Sequence, residues 1–391
     1  IKMPDTLQEW CRGFRHRIKH NSCLNLVWII NFLPTLAGFP FDRVMFAVIF
    51  WIIHTTLLVY VCLLGTVVYQ MYYADGFVDS INSFFNISVF VLVFINSWWL
   101  LSKRGELNEL LKIVKHNDDL VIEAGRFLDI HQKLLKKIKI IIITCYIFHF
   151  VNDIMIYMPS RIIGMDSFSI ASCVGLEPLT SPNREACMVI LALQELTAIV
   201  AVLTYDVTLL FLFSHTAAVY QILYQDMMSF NELAERCKSS VEAYNDVEVR
   251  LKNLITRHTL ALHTVNKLQA IYSATIGLGF LLDAISMCLF FVLPLDVCLN
   301  FAPLIYHSLF IFFLYCYQGQ RLTTASEKFE MAVYCCGWEH LRVKERRCVL
   351  LMLKRAQKPV IVYAARVIPI RIHTFANTMQ SIYKFVTVFK L

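Results

Sequence analysis

VMFAVIFWIIHTTLLVYVCLLGTVV fills residues 44–68, and no Asp, Glu, Lys or Arg occurs from Val44 to Ala74. A helix needs about 20 apolar residues to cross a hydrocarbon core of ~30 Å, so this run predicts a membrane span. Working outward from it, six more segments meet the same requirement: about Ile81–Ser102, Ile140–Pro159, Cys187–Ser214, Ser273–Leu293, Phe301–Gln318 and Pro369–Leu391. Asn21–Phe41 is apolar as well, but Pro34, Gly38 and Pro40 interrupt it, which predicts a short interfacial or re-entrant helix instead. Composition points the same way. Apolar types make up 58% of the 391 residues and charged types 17%, against ~45–50% and ~25% in soluble domains, and mean hydropathy is +0.58. A disordered chain, a coiled coil and an ordinary soluble enzyme are excluded. The expected fold is all-α: a polytopic membrane protein with seven transmembrane helices.

Lysine and arginine collect in the cytoplasmic connections of such proteins. Here the segment to Arg43 holds 6, the connection through Lys139 holds 9, the next on that side holds 6, and the one through Arg371 holds 11. The opposite side holds only Arg161 and Arg184. A cytoplasmic N-terminus and an extracellular C-terminus follow, the reverse of a G-protein-coupled receptor. The net charge of +7 is thus spread along a membrane face and predicts no nucleic-acid partner. The 13 cysteines show no CxxC pair and no His/Cys ligand spacing. With no HExxH or GxSxG motif either, neither a cofactor nor an enzyme activity is expected. No internal repeat of the kind seen in transporters is visible. His54, His149 and His307 stand far apart in the sequence and read as packed histidines.

The basic connections are long and carry apolar residues at helical spacing, such as Leu107, Leu110, Leu111 and Val114. The spans should therefore continue below the membrane and pack as a cytoplasmic helical anchor. The implied organisation is an N-terminal segment over 1–43, spans 1 to 6 over 44–318, an anchor helix over 319–368 and a final span over 369–391. In that final span His373, Asn377, Gln380, Lys384, Val388 and Leu391 share one helical face. The face is polar up to Val388. A lysine at the centre of a membrane helix costs ~2.5–3.5 kcal/mol, so the stripe should meet water or protein. Two arrangements satisfy it. One is a pore wall built from several copies around an axis, with Val388 and Leu391 as an apolar constriction. The other is a packed helix whose polar groups bond its neighbours.

The C-terminal third resembles the insect odorant receptor family. The resemblance rests on Cys316-Tyr317-Gln318-Gly319, Ala332-Val333-Tyr334 with Trp338, Arg355-Ala356-Gln357-Lys358-Pro359, Thr374-Phe375 and Ser381-Ile382-Tyr383. Ala37-Gly38-Phe39-Pro40 is similar to the family's N-terminal glycine–proline turn. The resemblance implies an odour-binding subunit of a heterotetrameric, ligand-gated, non-selective cation channel in the plasma membrane of olfactory dendrites. Its partners would be the odorant receptor co-receptor, membrane lipid and a small volatile ligand. The co-receptor's insertion between spans 4 and 5 is absent here. A gustatory-type homomeric channel, or a transporter, is the alternative. On this resemblance Asn377, Gln380, Lys384, Val388 and Leu391 line the pore and gate, and Lys384 departs from what a cation path would favour.

The same resemblance puts the odour among the outer halves of spans 2, 3, 4 and 6. Candidate ligand contacts there are Phe84, Ile87, Phe90, Phe150, Ile154, Tyr157, Met158, Ile190, Leu193, Thr197 and Tyr306. Four acids fall within spans. Asp153 and Glu195 lie at the expected pocket depth, while Asp206 and Asp283 lie nearer the inner half. An amine ligand or interhelical pairing would each account for them. Cys173 and Cys187 lie in or beside the same outer connection, within reach of a disulfide.

Overall fold

The computed structural model describes residues 17, 19–39, 41, 47–69, 76–163, 173–176, 180–236, 242–291, 293 and 295–389. Two short helices, α1 (Cys23–Ile30) and α2 (Phe32–Leu36), precede α3 (Ala47–Leu57), which runs on as a π-helix over Leu58–Tyr69. The long helices follow: α4 (Phe77–Ala124), α5 (Leu128–Ile163), α6 (Asn183–Met228), α8 (Glu242–Phe290) and α9 (Leu295–Tyr334), with the short α7 (Phe230–Arg236) between α6 and α8. After α10 (Val343–Ala356), a hairpin pairs β1 (Tyr363–Ala364) with β2 (Ile368–Pro369), and α11 (Ile372–Phe389) ends the described chain. The predicted final span thus begins at Ile372; Pro369, its expected start, belongs to the hairpin.

At 1.5 Å per residue, even the 36 residues of α5 reach about 54 Å, far beyond the ~30 Å that a membrane core requires. The long helices therefore overrun any bilayer and pack beyond it. Among the described residues, four helices are long and apolar enough to cross a membrane: Val48–Gly65, Ser83–Ala124, Asn183–Arg236 and Tyr244–Phe290. The other predicted spans fall on α5, α9 and α11.

Helix α6 is the central post. Leu203 to Tyr220 are buried without a break, as expected of a helix surrounded on all sides. Around it the outward faces are apolar. Val48, Ile52, Phe94, Trp98, Ile147, Val151 and Leu196 are all exposed. A soluble protein would hide such a surface; lipid tails wet it without cost.

Below the apolar belt the helix ends form a solid base. Leu107, Leu110, Leu111 and Val114 are buried there. Asp226 is held by Arg250 at 2.8 Å and by Arg257 at 3.1 Å. The N-terminal segment packs onto the bundle, with Leu26, Ile30 and Phe39 buried and Ser22 accepting from the Asn25 amide as the α1 cap.

The hairpin is pinned to α8. Gln269 bonds Tyr363 through both amide atoms at 2.7 Å, and Ser273 Oγ donates to the Tyr363 carbonyl at 2.9 Å. Two close approaches explain glycines here. A Cβ on Gly277 would lie 2.6 Å from that of Ala365, and one on Gly319 would run into the Ile370 carbonyl. The glycine in Cys316-Tyr317-Gln318-Gly319 is thus a backbone contact between α9 and the entry to α11.

Candidate functional site

A cavity of about 160 Å³ lies between α4, α5, α6, α8 and α9. Its apolar wall includes Leu92, Val202, Ile276, Phe280 and Ile311. Gly279 gives extra room, since a Cβ there would meet only Leu92 at 3.9 Å. Its polar wall is acidic: Asp153, Glu195, Asp206 and Asp283 all line it, and no lysine or arginine does among the described residues.

The acids are placed by a network from four helices. Tyr315 of α9 donates to Asp206 Oδ1. His149 of α5 brings Nε2 to 3.1 Å from Asp206 Oδ2, and its Nδ1 lies 3.3 Å from His307 Nε2 of α9. Tyr205 and Thr275 bond across α6 and α8 at 2.7 Å, and Ser308 bonds Asp283. Three groups keep unused capacity: Asn152 Nδ2, Asp153 Oδ2 and His149 Nε2, which approaches Asp206 without the alignment of a hydrogen bond, are buried without a hydrogen-bond partner. A buried polar atom left unpaired costs about 1–3 kcal/mol, and a ligand that pairs with it recovers that cost. A cavity of about 150 Å³ accepts benzene, so this one suits a molecule of a few heavy atoms more or fewer.

Among the described side chains, none of the ligand contacts expected from the sequence lines this cavity. Phe150, Ile154, Leu193 and Tyr306 are exposed on the outside of the bundle. Phe84, Ile87, Phe90 and Ile190 are half-buried; Phe90 packs beside Val93 and Ala198. Thr197 is buried and donates to the Gln194 carbonyl at 2.9 Å. The side chains of Tyr157 and Met158 lie outside the described residues. His149 and His307, read from the sequence as separate packed histidines, are neighbours on the cavity wall, and Asp206 and Asp283 line it as well. His54 bonds Ser97 at 2.8 Å. Cys173 and Cys187 are joined by a disulfide.

The second feature is the outer edge of α11. His373, Asn377, Gln380, Lys384 and Val388 are all exposed, while Ile382 on the opposite face is buried against a cluster that includes Ile81, Phe85 and Met287. The polar stripe therefore points away from its own bundle. Leu391 lies outside the described residues.

Long apolar helices packed around a small cavity are the architecture of a multi-pass membrane protein. The family model described as "7tm Odorant receptor" matches residues 73–383, and the chain belongs to that family. It is similar to Odorant receptor 2a of Drosophila melanogaster, 36% identical over 75 residues, 19% of each chain. Odorant receptor 82a of the same organism is 27% identical over 125 residues, covering 30% of this chain and 32% of the relative. The matched stretches span from about a fifth to a third of these curated relatives. The fold matches the insect olfactory receptor OR5 from Machilis hrabei, solved in complex with eugenol, with a TM-score of 0.75 at 16% identity, covering 93% of this chain and 97% of that one.

Proposed function

We propose that this chain is the odour-binding subunit of a heterotetrameric, ligand-gated, non-selective cation channel, completed by the odorant receptor co-receptor in the plasma membrane of olfactory dendrites. The observation that carries the reading is the cavity: small, lined by five helices, largely apolar, with four carboxylates among its lining residues. Burial against the apolar wall at ~25 cal/mol per Å² holds a volatile ligand. Asp153 and Asn152 orient it, which favours a ligand with a hydrogen-bond donor or a basic group. The eugenol-bound fold-mate supports the class of ligand, not its identity.

The channel half of the reading rests on α11. Its polar edge faces outward with no residue of its own bundle across it, as one wall of a shared aqueous path would. Asn377, Gln380 and Lys384 then line the path, and Val388 with Leu391 narrows it. Seven spans with a cytoplasmic N-terminus follow from the basic connections, and the solid base supplies the anchor between subunits.

The test is an odour panel of small volatile amines, alcohols and hydrocarbons applied to cells that express this chain with the co-receptor, and to cells that express it alone. Inward current is expected only with both, and Asp153→Asn should raise the half-maximal concentration of the best donor ligand at least about tenfold, the loss of one good polar contact. Robust current from the chain alone would reject the subunit assignment. An unchanged dose–response curve in Asp153→Asn would reject the cavity.

A further inference from the structure

At the base of the bundle, about two and a half turns along α6 from Asp206, a second polar group is enclosed by three other segments of the chain. It comprises Cys23 at the start of α1, Asp118 on α4, His131 on α5 and His215 on α6. Every one is at most 5% exposed. His215 Nε2 lies 3.7 Å from Asp118 Oδ1, and Cys23 Sγ lies 3.9 Å from His215 Nε2. The three ligand atoms all fall within 4.8 Å of one another. We propose that Cys23, Asp118 and His215 form a binding site for a divalent transition metal, zinc by its donor chemistry.

The spacing is the first argument. A nitrogen–oxygen separation of 3.7 Å is too long for a hydrogen bond. Around a tetrahedral zinc, with bonds of ~2.0 Å to N and O and ~2.3 Å to S, neighbouring ligand atoms sit roughly 3.3–3.6 Å apart. A contraction of a few tenths of an ångström brings His215 to that spacing from Asp118 and from Cys23, and Cys23 and Asp118 already lie within 4.8 Å of each other. Donor chemistry is the second argument. One thiolate, one imidazole and one carboxylate suit zinc better than a hard cation, and the two anions neutralise its charge in a buried place. His131 supplies the third. Its Nε2 donates to Asp118 Oδ1 at 2.6 Å, the outer hydrogen bond that orients a metal-binding carboxylate. The fourth position of the tetrahedron is left for water. Because the ligands come from α1, α4 and α6, a bound ion staples the N-terminal segment to the bundle.

The test uses the full-length chain in detergent. Metal analysis should find on the order of one zinc per chain, falling to background in Cys23→Ser. Cobalt added to chelator-treated wild-type chain should give a thiolate-to-cobalt charge-transfer band and the strong visible bands of a tetrahedral site. A chelator should lower the melting temperature and zinc should restore it. The cobalt spectrum is read on the wild type, so it does not depend on any variant folding. Zinc at background together with no charge-transfer band overturns the site. So does a zinc content that Cys23→Ser leaves unchanged.

Discussion

Asp206 and Asp226 sit on the same helix, both at most 5% exposed, yet their surroundings differ. Asp226 has a guanidinium on each oxygen, from Arg250 and Arg257. Asp206 has a phenol and an imidazole as partners and a cavity in front. A carboxylate matched by full cations is committed to holding helices together. One held by a phenol, with an imidazole close by and a void in front, can respond to whatever enters. Burial alone does not separate structure from recognition; the nature of the partners and the adjacent volume do.

The contrast can be broken at the base first. Asp226→Ala would leave two buried guanidinium groups without their counter-charge, a loss of about 3–5 kcal/mol. The expected result is little or no folded protein by size-exclusion fluorescence; a normal monodisperse peak would show that the base is not held this way. Gly319→Ala drives a methyl group into the Ile370 carbonyl, an overpacking cost of about 1–3 kcal/mol. Its melting temperature should fall, and because Ile370 leads into α11, basal current should change too. An unaltered melting curve would mean that the two segments separate freely. Asp206→Asn keeps the shape and most of the hydrogen bonds, so stability should move by no more than about 1 kcal/mol, while the ligand dose–response curve shifts. Equal losses in Asp206→Asn and Asp226→Ala would erase the distinction between the two regions. Lys344→Gln marks the floor. The Glu248 carboxylate bonds Lys344 at 2.7 Å and raises its pKa, but the pair is fully in water and screened. No shift in melting temperature is expected.

Much of the architecture is legible in the hydropathy pattern, since a helix in lipid must satisfy its own backbone. The heptad-like spacing of Leu107, Leu110, Leu111 and Val114 reads directly as a buried face. The cavity is not legible in the same way, and Phe150 shows why. Choosing large apolar residues as pocket lining carries over a rule from soluble proteins. In a membrane helix the apolar side can face lipid, as Phe150, Ile154 and Leu193 do, while the neighbouring polar residues His149, Asn152, Asp153 and Glu195 turn inward. The intramembrane acids Asp153, Glu195, Asp206 and Asp283 are what the sequence shows of this cavity. The meeting of His149 and His307 has no local trace at all, because 158 residues separate them and only the packing of α5 against α9 brings them together. Gly319 is an intermediate case. Its motif is visible in the sequence, but its reason is a carbonyl on another segment.

The hydrophilic margin of the last helix has a consequence for supply. A solitary copy would present amides and an ammonium group to hydrocarbon, and a cell's quality-control machinery retains molecules of that kind. On the proposed assembly, the number of copies that reach the surface is then set by the subunit that covers the margin. On that assembly, making more of this chain by itself would fill the degradation pathway and put no more of it at the surface.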